Sequence, residues 1–510
     1  MQLFELVIGL LLGGAALAAL ARRTDLPYPA LLALAGAGIA LVPGTPTVTL
    51  DPNLALALFI APVLLDAAFD TSPRDLRENW RPVASLALIA VVLTVAAVAL
   101  TVRWLAPQVP WAAAIALGAI VAPPDAAAAI AVLRQLRPPH RLLIILEGES
   151  LFNDASALLI YRLAVGAAMG GAVVGWAVVP MLLAVSAGSV VLGFVLSRIT
   201  LVIMPKIHDV ATSVIVQFVG TFGVWLLAEG LHLSGILTMV VYAMAVARQA
   251  PTAIPARIRI PSYAVWEVAV FVLNVLAFIL VGLQLKPILA SLGRTEVLTY
   301  IGITAAVCLV VIGIRVLWVM RDDIACRVLR RGAPGGRCGT TGNAAVVAWS
   351  GMRGTVSLAA ALALPARFPQ RGLVLFIAFG VVLGTLVIQG ITLKPLMRWL
   401  GLEHDDAVER EVRLAREETT RAAAAAMDGR GEQSEVARLL RQIYESRLAG
   451  ETGEDGTGAT GQLLRAAVEA QRRRLVELRD DGTIGDDAFH RIEEDLDWAE
   501  LNAEAIRRQE

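Results

Sequence analysis

RLLIILEGESLFNDASALLIY, residues 141–161, sets Glu147, Glu149 and Asp154 inside a run otherwise apolar enough to be a membrane helix. A charge at the bilayer centre costs about 2.5–3.5 kcal/mol even on the mild insertion scale, so two unpaired ionised acids would cost on the order of 5–7 kcal/mol. Such acids must be neutralised, paired or hydrated, and each outcome points towards a function. On an α-helix Ser150, Asn153 and Asp154 fall at i, i+3 and i+4 and share one face. Glu149 precedes Asp154 by five residues, about 140° round the helix at about 100° per residue. The two acids therefore point to different surroundings. Asp154, beside a hydroxyl and an amide, is placed to take a proton or a hard cation, which prefers oxygen ligands. Glu149 is placed to be half of an ion pair.

The rest of the chain supports a membrane setting. Of its 510 residues 57% are hydrophobic and 17% charged, against roughly 45–50% and about 25% in soluble domains. Runs at 1–21 and 82–100 each reach the length of about 20 apolar residues that crosses a bilayer. The first lacks a basic leader and ends in Arg22-Arg23, so it reads as a retained span and not as a signal peptide. Thirteen apolar segments can be drawn, at 2–21, 29–43, 53–70, 82–105, 110–133, 140–168, 172–204, 208–229, 231–249, 263–290, 296–320, 343–365 and 370–399. Loops after odd-numbered segments are rich in arginine (Arg74, Arg77 and Arg81; Arg134, Arg137 and Arg141; Arg321, Arg327, Arg330 and Arg331), and the even loops are poorer. Positive loops face the cytoplasm, which predicts an external N-terminus and a cytoplasmic C-terminus in an inner, cell membrane.

Residues 1–400 thus read as a membrane domain. From residue 401 the composition turns to Arg, Glu and Ala with helical periodicity, so 401–510 reads as a cytoplasmic helical tail. GETGEDGTGATG, at 450–461, reads as a flexible linker within it.

Several classes drop out. A formal net charge of zero gives no electrostatic case for nucleic acid. Cys308, Cys326 and Cys338 have no metal or disulfide spacing. The five histidines form no metal motif, and no phosphate-binding loop or GxSxG elbow is present, which argues against an ATP-driven pump or a hydrolase. No cofactor is expected and the chain does not read as an enzyme.

Two spans look interrupted. The segment 110–133 carries Pro123-Pro124-Asp125, which removes two backbone donors and disfavours helix just before. Broken helices are tolerated at membrane depth only where buried or lining a cavity, and transporters build ion sites from such ends. Asp125 could cap the second half-helix or titrate directly. The segment 343–365 sets Arg353 between Gly351 and Gly354, and an arginine in lipid needs an acid; Glu149 is available. With segment seven as a linker, the interrupted fifth and twelfth segments fall at corresponding places in two six-helix halves. That pattern predicts an inverted-repeat transporter with its site at the midplane. Asp66, after the apolar run 53–65, is either a cavity-facing acid or a helix-end charge.

GESLFND, LLDAAF, LLAEGLHLSGIL (226–237), WEVAVFVLNVLAFILVGLQL (266–285) and WSGMRGTVSLAAALALP (349–365) together resemble the sodium/proton exchangers of the cation:proton antiporter superfamily, in the branch shared by bacterial NhaP-type antiporters and animal exchangers. The resemblance spans about residues 1–400. It implies an all-α fold, a homodimer, and a core domain moving against a dimerisation domain. It implies that Asp154 of Asn153-Asp154 binds cation and proton in turn, that Ser150 and a carboxylate at Asp66 help ligate the cation, and that a Glu149–Arg353 pair stabilises the core. Family members with Asn-Asp exchange one cation for one proton without moving net charge. This chain departs by lacking the hydroxyl residue usual at the first break and by having Asp66 where many bacterial members have Glu. Na+, Li+ and K+ all remain open as the cation.

Two rivals belong to other classes. An intramembrane aspartyl protease would use Asp125 and Asp154, but the GxGD block of such enzymes is missing. A channel or cation sensor on the same scaffold would pass or bind ions without counter-transport.

Overall fold

The computed structural model describes residues 2–24, 27–43, 54, 56–133, 138–170, 178–290, 294–329, 341–402, 407–428 and 461–507. Among them every regular element is helical. The segment that opened the reading is one helix, His140–Ala168, with the limits its apolar pattern predicts. Both expected interruptions are present. Trp111–Val121 stops before the prolines and Ala126–Leu133 follows them. Thr341–Trp349 stops before the glycine-framed arginine and Thr355–Leu362 follows it.

Seven helices among the described residues are long and apolar enough to cross a membrane, and Val7–Ala21, Tyr28–Leu41 and Ala57–Phe69 are shorter apolar helices. The expected count of thirteen rests on apolar pattern and includes spans such as His140–Ala168 whose acids dilute that pattern.

Two segments run further than hydropathy suggests. Ala256–Leu283 begins at its N-terminal Pro255 and carries Pro261 inside, well before the apolar run starting at 263. Arg294–Leu329 continues past 320 through a charged stretch. In the first, the added turns bury Arg259 at 2% exposure against the tail, which apolarity could not show.

Helices approach closely where glycine permits. A Cβ at Gly36 would strike the Ile279 carbonyl, and one at Gly282 the Ala33 carbonyl, so Tyr28–Leu41 and Ala256–Leu283 meet backbone to backbone. Small residues at such contacts are how helices associate in lipid, where there is no hydrophobic force to draw them together.

The tail forms helices Ala407–Asp428, Gly461–Asp480 and Asp486–Arg507, packed around Leu475, Leu478, Ile484, Phe489, Ile492 and Leu496. The 450–461 linker lies outside the described residues, except for Gly461, which opens a helix. Polar contacts dock the tail on the membrane part. Arg259 pairs with Asp497 and, at 3.3 Å, with Glu493; His140 lies 3.1 Å from Asp487; Arg74 lies 3.6 Å from Glu411.

Candidate functional site

The two interrupted spans cross, and each break serves the other. Asp125 donates its backbone N–H to the Met352 carbonyl at 2.6 Å. Its carboxylate accepts from the Ala128 amide at 3.3 Å, and the amides of Ala127 and Thr355 also reach it. Asp125 therefore caps the half-helix that follows it and also the start of Thr355–Leu362 in the other span. A helix N-terminus carries about half a positive charge, so an acid between two such ends is favoured. Gly354 permits this approach, because a Cβ there would overlap the Asp125 carboxylate.

Arg353 has the complementary task. Nε donates to the Val121 carbonyl at 2.9 Å, Nη2 to the Ala122 carbonyl at 3.1 Å, and Nη1 to the Gly351 carbonyl. Val121 O would ordinarily receive the Asp125 N–H, which goes instead to Met352. Thr385 Oγ1 accepts the Arg353 backbone N–H at 3.0 Å.

The expected Glu149–Arg353 pair is therefore corrected. Glu149 pairs with Arg315 in a two-pronged contact, with Nη2 to Oε2 at 2.8 Å and Nη1 to Oε1. Arg315 also donates to the Val347 carbonyl, at 3.2 Å from Nε and 3.0 Å from Nη2. The reason is competition for donors: the Arg353 guanidinium is committed to carbonyls that the breaks leave without a helical N–H. Glu149, Arg315 and Arg353 are all buried, at 1%, 3% and 1% exposure. The sequence did carry a signal for Arg315, a lone arginine in the apolar run CLVVIGIRVLWVM.

The acid-bearing helix turns its other face to a cavity of about 300 Å³. Asp154, Ser150, Asp66 and Asp125 all line it. So does Glu147, to which the sequence reading assigned nothing. Glu147 and Asp154 are seven residues apart, about 20° out of line on a helix, and Ser150 lies between them. That i, i+3, i+7 stripe was readable in EGESLFND. Asn153 is not part of the cavity wall: it is turned about 100° from Asp154. Its amide is fully buried and makes no hydrogen bond among the described residues.

A second cavity, of about 830 Å³, shares Tyr28, Asp66, Val270 and Asn274 with the first. Its wall also includes Glu493, Glu494 and Asp497 of the last tail helix. Asp66 thus borders both the cavity that holds Asp154 and the one that the tail helix helps to line. Carboxylates and hydroxyls around a small cavity can exchange a proton for a hard cation at one oxygen set.

The chain is 30% identical to an uncharacterized Na(+)/H(+) exchanger of Mycobacterium bovis, over 97% of this chain and 96% of that one. It is 28% identical to a sodium, potassium, lithium and rubidium/H(+) antiporter of Bacillus pumilus, over 92% of this chain and 73% of that one. Its fold resembles the sodium proton antiporter MjNhaP1 of Methanocaldococcus jannaschii, with a TM-score of 0.61 at 19% identity, over 78% of this chain and 98% of that one. The model of the family described as sodium/hydrogen exchanger, transmembrane, matches residues 7–399, and the chain belongs to that family.

Proposed function

We propose that the protein is a secondary transporter that exchanges Na+ for H+ one for one, with Asp154 holding either ion and Ser150 and Asp66 completing the oxygen shell. The observation that carries this reading is the placing of Asp154, only 4% exposed, in one small cavity with Ser150 and Asp66 beside the crossing of two broken helices. Because the carboxylate takes one cation or one proton and not both, the site crosses with the same charge either way. A gradient of one ion then drives the other. Asp125 acts by capping the crossing, since backbone amides occupy its carboxylate. That role also leaves it poorly placed to share a proton in a protease dyad.

In this reading the Arg-rich odd loops face the cytoplasm, the tail is cytoplasmic, the N-terminus is external, and the protein is a homodimer in the cell membrane. The loop charges support the orientation; the resemblance to exchangers supports the dimer. The K+ reading has one specific support, the breadth of cations in the name of the Bacillus pumilus relative.

The test is dissipation of a pH gradient in proteoliposomes on adding Na+, Li+ or K+ in turn, with and without an imposed membrane potential. The expected result is Na+-driven flux insensitive to potential and abolished by Asp154→Asn. Retained exchange in that variant would overturn the assignment. Conductance without proton movement would favour a channel.

A further inference from the structure

Most of the buried hydroxyls in these helices follow a rule. Thr94 donates to the Ala90 carbonyl at 2.7 Å, Ser350 to Val346 at 2.7 Å, Thr385 to Val381 at 2.8 Å and Ser262 to Ile258 at 2.8 Å. Each hands its proton to the carbonyl one turn back, which spares it the cost of burial without a partner. Ser357 breaks the rule. Its residue is 1% exposed, and its Oγ has no hydrogen-bond partner among the described residues. One turn back lies Arg353, in the break before Thr355–Leu362 and outside that helix. Ser357 lines the same 300 Å³ cavity as Asp154, Ser150 and Asp66. Thr238 and Thr304 are also buried and unbonded but line neither cavity, so lack of a partner alone does not mark a site.

We propose that Ser357 Oγ is a further ligand of the transported cation, supplied by the second broken span across the cavity from the helix that carries Asp154. The inference rests on the exchange site proposed above. A hydroxyl is suited to this place for a reason of charge. Hard monovalent cations take several oxygen ligands, yet the cavity already holds Asp66, Asp125, Glu147 and Asp154. A neutral oxygen adds to the shell without adding a fifth acid to the cavity. Ser357 also ties the bound ion to the second half of the fold. The unused lone pairs of Ser357 would then be satisfied by the ion or by its last hydrating water.

The test compares Ser357→Ala, Ser357→Thr and Asp154→Asn in proteoliposomes, measuring half-saturating concentration and maximal rate for Na+, Li+ and K+. Ser357→Ala is expected to raise the half-saturating Na+ concentration about tenfold, the equivalent of one modest ligand contact, with the maximal rate held within about twofold. Ser357→Thr keeps the oxygen and is expected to restore wild-type affinity. A Ser357→Ala protein that exchanges all three cations with unchanged half-saturating concentrations overturns the proposal. So does a Ser357→Thr protein as weak as Ser357→Ala, because the hydroxyl would then not be what matters. If Ser357→Ala does not fold, Ser357→Cys takes its place, with the same weakening expected and unchanged affinity counting against the ligand role. Asp154→Asn separates the two readings: exchange surviving there removes the site itself, whereas exchange lost there but unchanged in Ser357→Ala removes only this ligand.

Discussion

The break at residues 122–125 is built from two prolines and an acid, whereas the break at 350–354 is built from glycines and an arginine. The prolines take donors away, and Asp125 then serves the amides that open both following half-helices. The glycines make room, and Arg353 serves the carbonyls that close the preceding half-helix of the other span. Opposite charges thus sit at opposite helix ends, each where the peptide dipoles favour it. Neither break is stable by itself in lipid, since each finds its missing partners on the other. This is also why Glu149 needed a different arginine.

The largest effect should come from that third charge. Glu149→Gln leaves Arg315 buried without its counter-charge and should cost about 3–5 kcal/mol, read as a drop in the thermal unfolding of detergent-purified protein. A double-mutant cycle should couple Glu149 to Arg315 by on the order of 2–3 kcal/mol and to Arg353 by less than about 1 kcal/mol. The reverse ranking would return Arg353 to the ion pair and break the contrast between the two spans.

Arg353→Gln should cost about 2–3 kcal/mol, because the carbonyls of Val121 and Ala122 lose charge-assisted donors. Unchanged stability would mean that those carbonyls find other donors. Gly354→Ala should be milder in stability, about 1–3 kcal/mol of overpacking, yet it should depress transport, because its Cβ meets the Asp125 carboxylate. Gly38→Ala is the control. Nothing lies near its Cβ, so it should be neutral or slightly stabilising.

The smallest effect concerns charges that pH can reach. In the tail, burial pushes the Glu493 carboxyl up, but the His490 hydrogen bond and the Arg259 charge outweigh it and hold it below the usual range. Burial likewise pushes Asp487 up, and the His140 contact outweighs it. A depressed carboxylate contributes its full docking stability above its free value of about 4, and loses it as pH falls through the docked value. Hydrogen exchange over residues 486–507 should therefore show the tail loosening as pH falls below about 4. Docking unchanged down to about pH 2 would contradict this.

Much of the fold was legible because lipid leaves few options. Apolar length marked the helices, and Pro123-Pro124 and Gly351–Gly354 marked the breaks. Helical spacing set Ser150 and Asp154 together and turned Glu149 away. What escaped was choice among distant partners. Sequence offers two buried arginines for Glu149, and only the carbonyls freed at the breaks decide which is committed elsewhere. Glu147 was missed for a simpler reason, since its seven-residue spacing from Asp154 was on the page. Arg259 was invisible as a buried group because its partner Asp497 lies in the tail.

If one carboxylate holds either a proton or a cation, cation binding must displace protons. Na+ is added to purified protein in weakly buffered detergent solution, and the protons released per bound Na+ are counted. One proton per Na+ is expected, with release lost in Asp154→Asn. Na+ binding that releases no proton, or release that survives in Asp154→Asn, would contradict it.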